Sequence, residues 1–168
     1  KADAERKQLA TTIGADGFAL LQAAYAPEAP PEVRSLPAVE VLRQIWVQQY
    51  YGASNPPRWR HEPDVPPAAQ LIHSPYDLDA RYSLQRGSAW VGYKAHATET
   101  CDDETPHVIT HVETPPATTP DDHMLEPIHA ALAAQALLPR DHLVDCGYTD
   151  SETLIASARN YGVHIVGP

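Results

Sequence analysis

A chain of 168 residues with 22 acidic against 12 basic side chains and a formal charge of −10 is long enough for one domain with a real core, two small units being the other division its length permits. The charge balance leaves no basic stripe along which phosphates would be neutralised, so weak or no DNA binding is expected of this piece by itself. Two cysteines, Cys101 and Cys146, make neither a disulfide framework nor a paired metal motif, which sets a reducing, cytoplasmic location as the default; no apolar run is long enough for a bilayer.

Residues Ala2 to Ile13 are helix-favouring, Gly14 is expected to stop them, and Asp16 caps a second short helix through Phe18, Leu21 and Tyr25. A proline-rich break, Ala26-Pro27-Glu28-Ala29-Pro30-Pro31, precedes a helix over Ala38 to Tyr51. There Leu42, Ile45, Trp46 and Gln49, with Val39 alongside, form a stripe at helical spacing suited to docking on a core. Gly52 to Pro67 reads as an irregular connector. Within it Arg58-Trp59-Arg60 suggests either a base-stacking or phosphate-gripping triplet or a solvated loop. These features divide the chain into a helical insertion or docking region, residues 1–67, and an α/β part, residues 68–168.

Asp77-x-Asp79 resembles the acid pair of aspartyl phosphotransferases, but Ser74-Pro75-Tyr76 before it is a turn rather than a buried apolar strand, so the pair is assigned to an Asp-rich turn with Arg81 or Arg86 as partner. From Trp90 the period becomes two: Val91, Tyr93, Ala95 and Ala97 alternate with Gly92, Lys94 and His96. A second strand over His107 to Glu113 completes an antiparallel hairpin. His107 and His111 stand roughly 13 Å apart on a strand at ~3.3 Å per residue, too far to share one ion. Asp121-Asp122 opens a helix carrying Met124, Leu125, Ile128, Leu132 and Ala136, with Pro127 marking a kink or the true start.

Then comes His142-Leu143-Val144-Asp145-Cys146-Gly147-Tyr148-Thr149-Asp150. It reads as a short buried strand that stops on a carboxylate, turns at Gly147 and enters a helix over about Ser151 to Tyr161, with Gly162 at the C-cap and a last strand over Val163 to Val166. At the carboxyl end of a strand in an α/β sheet, Asp145 either faces a metal or polar substrate or caps the turn. The element order predicts a mixed sheet with helices packed on it.

Four segments in order, Trp90-Val-Gly-Tyr-Lys-Ala-His96, Thr110-His-Val-Glu-Thr-Pro-Pro-Ala117, Pro120-Asp-Asp122 and Leu143-Val-Asp-Cys-Gly-Tyr148, together resemble the core of a bacterial insertion-sequence transposase of the DDE type; Ser74-Pro-Tyr-Asp-Leu-Asp-Ala-Arg81 and the helical start extend the likeness over nearly the whole chain. The resemblance implies an RNase H-like mixed sheet with flanking helices and a triad of two aspartates and one glutamate holding Mg2+ or Mn2+ for cutting and transferring transposon-end DNA. Asp145 matches the second aspartate, as metal ligand and catalytic residue; Lys94, His96 and Tyr148 border it without a role the family pattern assigns. The first aspartate and the closing glutamate have no counterpart here. With Lys1 already in a helical pattern and Gly167-Pro168 just past an apolar run, the chain is expected to be an internal fragment, inactive and without tightly bound metal, and prone to self-association through an exposed sheet edge. Two other readings stay open: a catalytically dead remnant acting as an inert or protein-binding domain, and a stand-alone metal-dependent hydrolase using His107, His111 or Asp145.

Overall fold

A computed structural model describes residues 2–52 and 55–168; residues 53 and 54, inside the sequence-predicted connector, and residue 1 lie outside the described part. The contacts divide the chain into two compact units, Lys1–Tyr82 and Ser83–Pro168, a division later than residue 67. Residues past the connector belong with the helical part: Gln48 on its third helix donates to the Gln70 carbonyl at 3.0 Å and accepts from the Ile72 amide at 2.8 Å.

The first unit starts with one helix, α1 (Ala2–Ala24), where the sequence predicts two. Gly14 does not stop it, because its missing side chain makes room for a neighbour. A Cβ there would lie 2.5 Å from the Tyr50 ring, and one on Gly17 would lie 2.0 Å from the Trp46 indole. After a single turn, α2 (Pro31–Arg34), the helix α3 (Pro37–Gln49) carries the predicted docking stripe, and Pro37 sits in its first turn, where no amide partner is lost. Trp46 and Tyr50 stack at 5.6 Å and reach across to α1, donating from the indole to Gly14 O (3.1 Å) and from the phenol to Ala10 O (2.7 Å). Tyr50 then begins β1 (Tyr50–Tyr51), paired antiparallel with β2 (Arg58–Trp59), so the predicted irregular connector holds a short ladder. The Asp77 turn forms as expected, its Oδ1 accepting from the amides of Asp79 and Ala80, both at 3.1 Å. Arg81 donates to the carbonyls of Ala69, Leu78 and Ala80.

β3 (Arg81–Gln85) and β4 (Ser88–Gly92) pair through a tight turn at Arg86-Gly87, both with positive φ. The single strand predicted over Trp90–Ala97 is broken in two. Gly92 takes φ +152, a conformation side chains rarely adopt; Tyr93 then makes an isolated antiparallel bridge to Pro116, and a ladder forms at β5 (His96–Glu99), antiparallel to β6 (Ile109–Glu113). Then a 3-10 turn, Asp122–Met124, leads into α4 (Leu125–Ala134), so Pro127 lies in the first helical turn and marks the start rather than a kink. β7 (Asp141–Leu143), α5 (Ser151–Tyr161) and β8 (His164–Val166) form a βαβ unit with parallel strands. Asp150 caps α5 by accepting from the amides of Glu152 and Thr153, and Gly162, left-handed at φ 67, closes it.

The core of this unit lies between the helices and the strands. Met124, Ile128 and Leu132 on one side and Leu125, Val163 and Ile165 on the other are joined by Leu138 and Tyr148. The α/β class holds, but the described strands pair two by two, not as one continuous mixed sheet. Leu143 is correspondingly 61% exposed, not buried as its apolar run predicts, because in a two-stranded sheet only His142 and Ile165 turn toward the core. A cavity of about 710 Å³ is lined by β5 residues Ala97, Thr98 and Glu99 and β7 residues Asp141, His142 and Leu143, strands whose other edges carry no partner among the described strands.

Candidate functional site

The parallel ladder continues one residue past β7, where the Val144 amide donates to Val166 O at 2.9 Å. Asp145 follows in extended conformation and its Oδ1 accepts from the Gly147 amide at 2.8 Å, closing a 3-10 turn over Cys146–Tyr148. The carboxylate therefore stands at the carboxyl end of β7, exposed, and it caps the turn, the second of the two roles the sequence offers.

Asp121, at the entry to the 3-10 turn before α4, comes to the same corner. A Cβ added to Gly147 would lie 3.0 Å from Asp145 Oδ1 and 3.1 Å from Asp121 Oδ2, so the absence of a side chain at 147 lets two carboxylates approach one point. Like charges this close repel, and Lys94 offsets the repulsion: its Nζ is 2.7 Å from Asp121 Oδ1 and 2.8 Å from Thr119 O, with both partners of the ion pair about three-quarters buried. Partial burial keeps this pair from being screened as a surface pair would be.

Tyr148 reaches inward from the turn and its hydroxyl hydrogen-bonds His96 Nδ1 on β5, the rings meeting edge to face at 5.6 Å. Burial, then the negative charges of Asp121 and Asp145, push the Tyr148 hydroxyl above its ordinary value. Burial pushes His96 down, opposed by Asp121, so the imidazole is neutral near neutrality. Its Nε2 is buried with no hydrogen-bond partner among the described residues. His96, Tyr148 and Asp145 line a cavity of about 160 Å³, which shares Ala97, Thr98, His142 and Leu143 with the larger one between β5 and β7.

Of the residues singled out from sequence, Asp145, Lys94, His96 and Tyr148 gather here. His111 is turned to Glu113, Nε2 to Oε1 at 2.8 Å, and His107 is exposed. Asp77 and Asp79 belong to the other unit. Cys101 and Cys146 are free and exposed. Asp121 was legible only as a helix opener, since nothing in its spacing from Asp145 reveals that a glycine lets them meet. Also missed was the contact of buried His129 with half-buried His142, Nε2 to Nδ1 at 3.0 Å, for which the helical and strand periodicities carry no signal.

Among the described residues no group of three or more His, Cys, Asp and Glu side chains is placed to hold a metal ion. No described helix is long and apolar enough to cross a membrane. Comparison with protein-family models, with curated proteins and with solved structures returns no match.

Proposed function

We propose that this chain is a central part of a DDE-type insertion-sequence transposase, its second unit an incomplete RNase H-like core, which in complete form cuts and transfers transposon-end DNA. The observation that carries the reading is an exposed aspartate at the carboxyl end of β7, beside a slot flanked by two strand edges. A further strand in that slot would join the two pairs into one sheet and would bring a second acid to the same rim. Asp145 would be one ligand of a Mg2+ or Mn2+ ion, and Asp121 stands at the same corner. Such an ion, when bound, lowers the pKa of a coordinated water or hydroxyl and offsets charge on a phosphodiester.

The chain's own residues have positioning roles in this reading. The Gly147 amide orients the Asp145 carboxylate, Lys94 fixes Asp121, and the Tyr148–His96 contact ties the turn to β5. With two carboxylates only, metal binding by the chain as it stands is expected to be weak and its cleavage of DNA nil.

The test is to extend the chain through its flanking reading frame until it contains a further aspartate and glutamate, and to follow Mn2+-dependent nicking of transposon-end DNA. Asp145→Ala should reduce the rate on the order of 10³-fold or more, the scale expected when one member of a catalytic set is lost. An extended protein that nicks as well without this carboxylate would refute the assignment. The second reading, a catalytically dead remnant that binds protein, is favoured by one observation, the lack of a three-ligand metal set among the described residues. An extended protein that takes up no Mn2+ at Asp145 would establish it instead.

A further inference from the structure

In the first unit the two arginines of Arg58-Trp59-Arg60 are held against a ring. The Arg58 guanidinium lies 3.9 Å and that of Arg60 4.6 Å from the centroid of Tyr51, while Arg6 from α1 lies 5.0 Å from that of Trp59. His61 meets the Trp59 indole edge to face at 5.1 Å. Next to these residues is a cavity of about 490 Å³ lined by Lys7, Tyr51, Arg58, Trp59, His61 and Asp64 among others. Four of the 12 lysines and arginines of an otherwise strongly acidic chain thus collect around one cleft.

Three of the nearby charges are already engaged. Arg60 donates to Tyr50 O at 3.1 Å and to Asp64 O at 3.3 Å, so it supports the wall; the Tyr51 hydroxyl is bonded to the Asp64 carboxylate. Lys7 pairs with Asp3 at 2.8 Å, but both are exposed, and such a pair contributes little that an anion would have to displace. Arg58 and His61 are exposed as well. A guanidinium laid on a ring keeps its in-plane donors directed outward in a fixed fork, the geometry that matches phosphate oxygens, and the volume is that of a small-molecule site rather than a single-ion niche.

We propose that this cleft binds a nucleic-acid strand, a phosphate resting between Lys7 and Arg58 and the attached nucleoside against the Trp59–His61 wall. The site does not depend on Asp145 or on any metal. Because the chain carries −10 overall, affinity lies in the non-specific range of about 10⁻⁴–10⁻⁶ M and is steeply salt-dependent.

The experiment is fluorescence anisotropy of a labelled oligothymidylate with the full chain at low salt, in the presence of a chelator so that metal chemistry at Asp145 contributes nothing. Binding should weaken about tenfold in Lys7→Ala/Arg58→Ala, with the slope of log K against log salt flattened by roughly 1.4, two phosphate contacts on a single strand at about 0.7 each. Arg58→Lys, which keeps the charge but gives up the stacked fork, should leave the salt slope close to that of the wild type while weakening binding severalfold, and so separates loss of charge from a disturbed fold. Arg140→Ala/Arg159→Ala, exposed cations of the other unit, should leave binding unchanged. No binding at low salt, equal loss in the two double variants, or displacement by inorganic phosphate as readily as by unlabelled strand would each overturn the proposal. Failure here leaves the Asp145 reading standing, since that is judged by metal-dependent nicking, and the converse also holds.

Discussion

His129 is fully buried, and burial together with the neighbouring His142 holds its imidazole down to about 4. The unfolded chain protonates it near 6.5, so between those values the unfolded state binds more protons and stability falls as pH falls. The second unit is therefore expected to be at full stability above pH 6.5 and to lose on the order of 3 kcal/mol on descending to pH 4. Urea midpoints taken across that window will show the slope, and His129→Leu should flatten it; an unchanged slope in the variant would exclude His129 as its source. Gly147→Ala is the corresponding probe of the acidic corner. Its Cβ would lie 3.0 Å from Asp145 Oδ1 and 3.1 Å from Asp121 Oδ2, so the carboxylates must give way by a few tenths of an ångström. Carboxyl carbon shifts of both residues should move together in NMR spectra, whereas movement of one alone would argue against their convergence.

At the scale of elements, small residues on α1 receive two large aromatics, Trp46 from α3 and Tyr50 from the start of β1. Gly17→Ala would place a carbon 2.0 Å from the Trp46 ring. A clash of that size cannot be relieved by a small rotation, and the substitution should destabilise the first unit by about 3 kcal/mol, seen as an early thermal transition with loss of the near-ultraviolet signal of Trp46. In the second unit the entry to α5 depends on one side chain. Asp150→Ala removes the acceptor for the amides of Glu152 and Thr153 and should cost about 1 kcal/mol, read from the same kind of melt. Equal stability of wild type and variant would mean that water replaces the cap.

The β5–β6 and β7–β8 pairs of the second unit leave apolar side chains in solvent: Ile109 at 61%, Val112 at 50%, Leu143 at 61% and Val166 at 41% exposure. Unpaired edges beside such residues are templates for another strand. Sedimentation velocity over a range of concentrations should show self-association that Leu143→Lys/Ile109→Lys suppresses, because charges at an edge oppose strand pairing. A chain monomeric at every concentration would instead mean that the slot between β5 and β7 is closed to intermolecular pairing.

The local chemistry of the sequence determined where α5 begins and ends, the docking helix, the Asp77 turn and the position of Asp145 at the close of a strand, since caps, periodicity and turn residues act within a few positions of chain. Only the tertiary structure decided that Gly14 and Gly17 serve packing rather than termination, that Asp121 joins Asp145 across a glycine, that His129 meets His142 at the edge of the core, and that Tyr51 gathers Arg58 and Arg60. Each of these depends on side chains far apart in sequence competing for one volume, and no local pattern encodes which of them will share it.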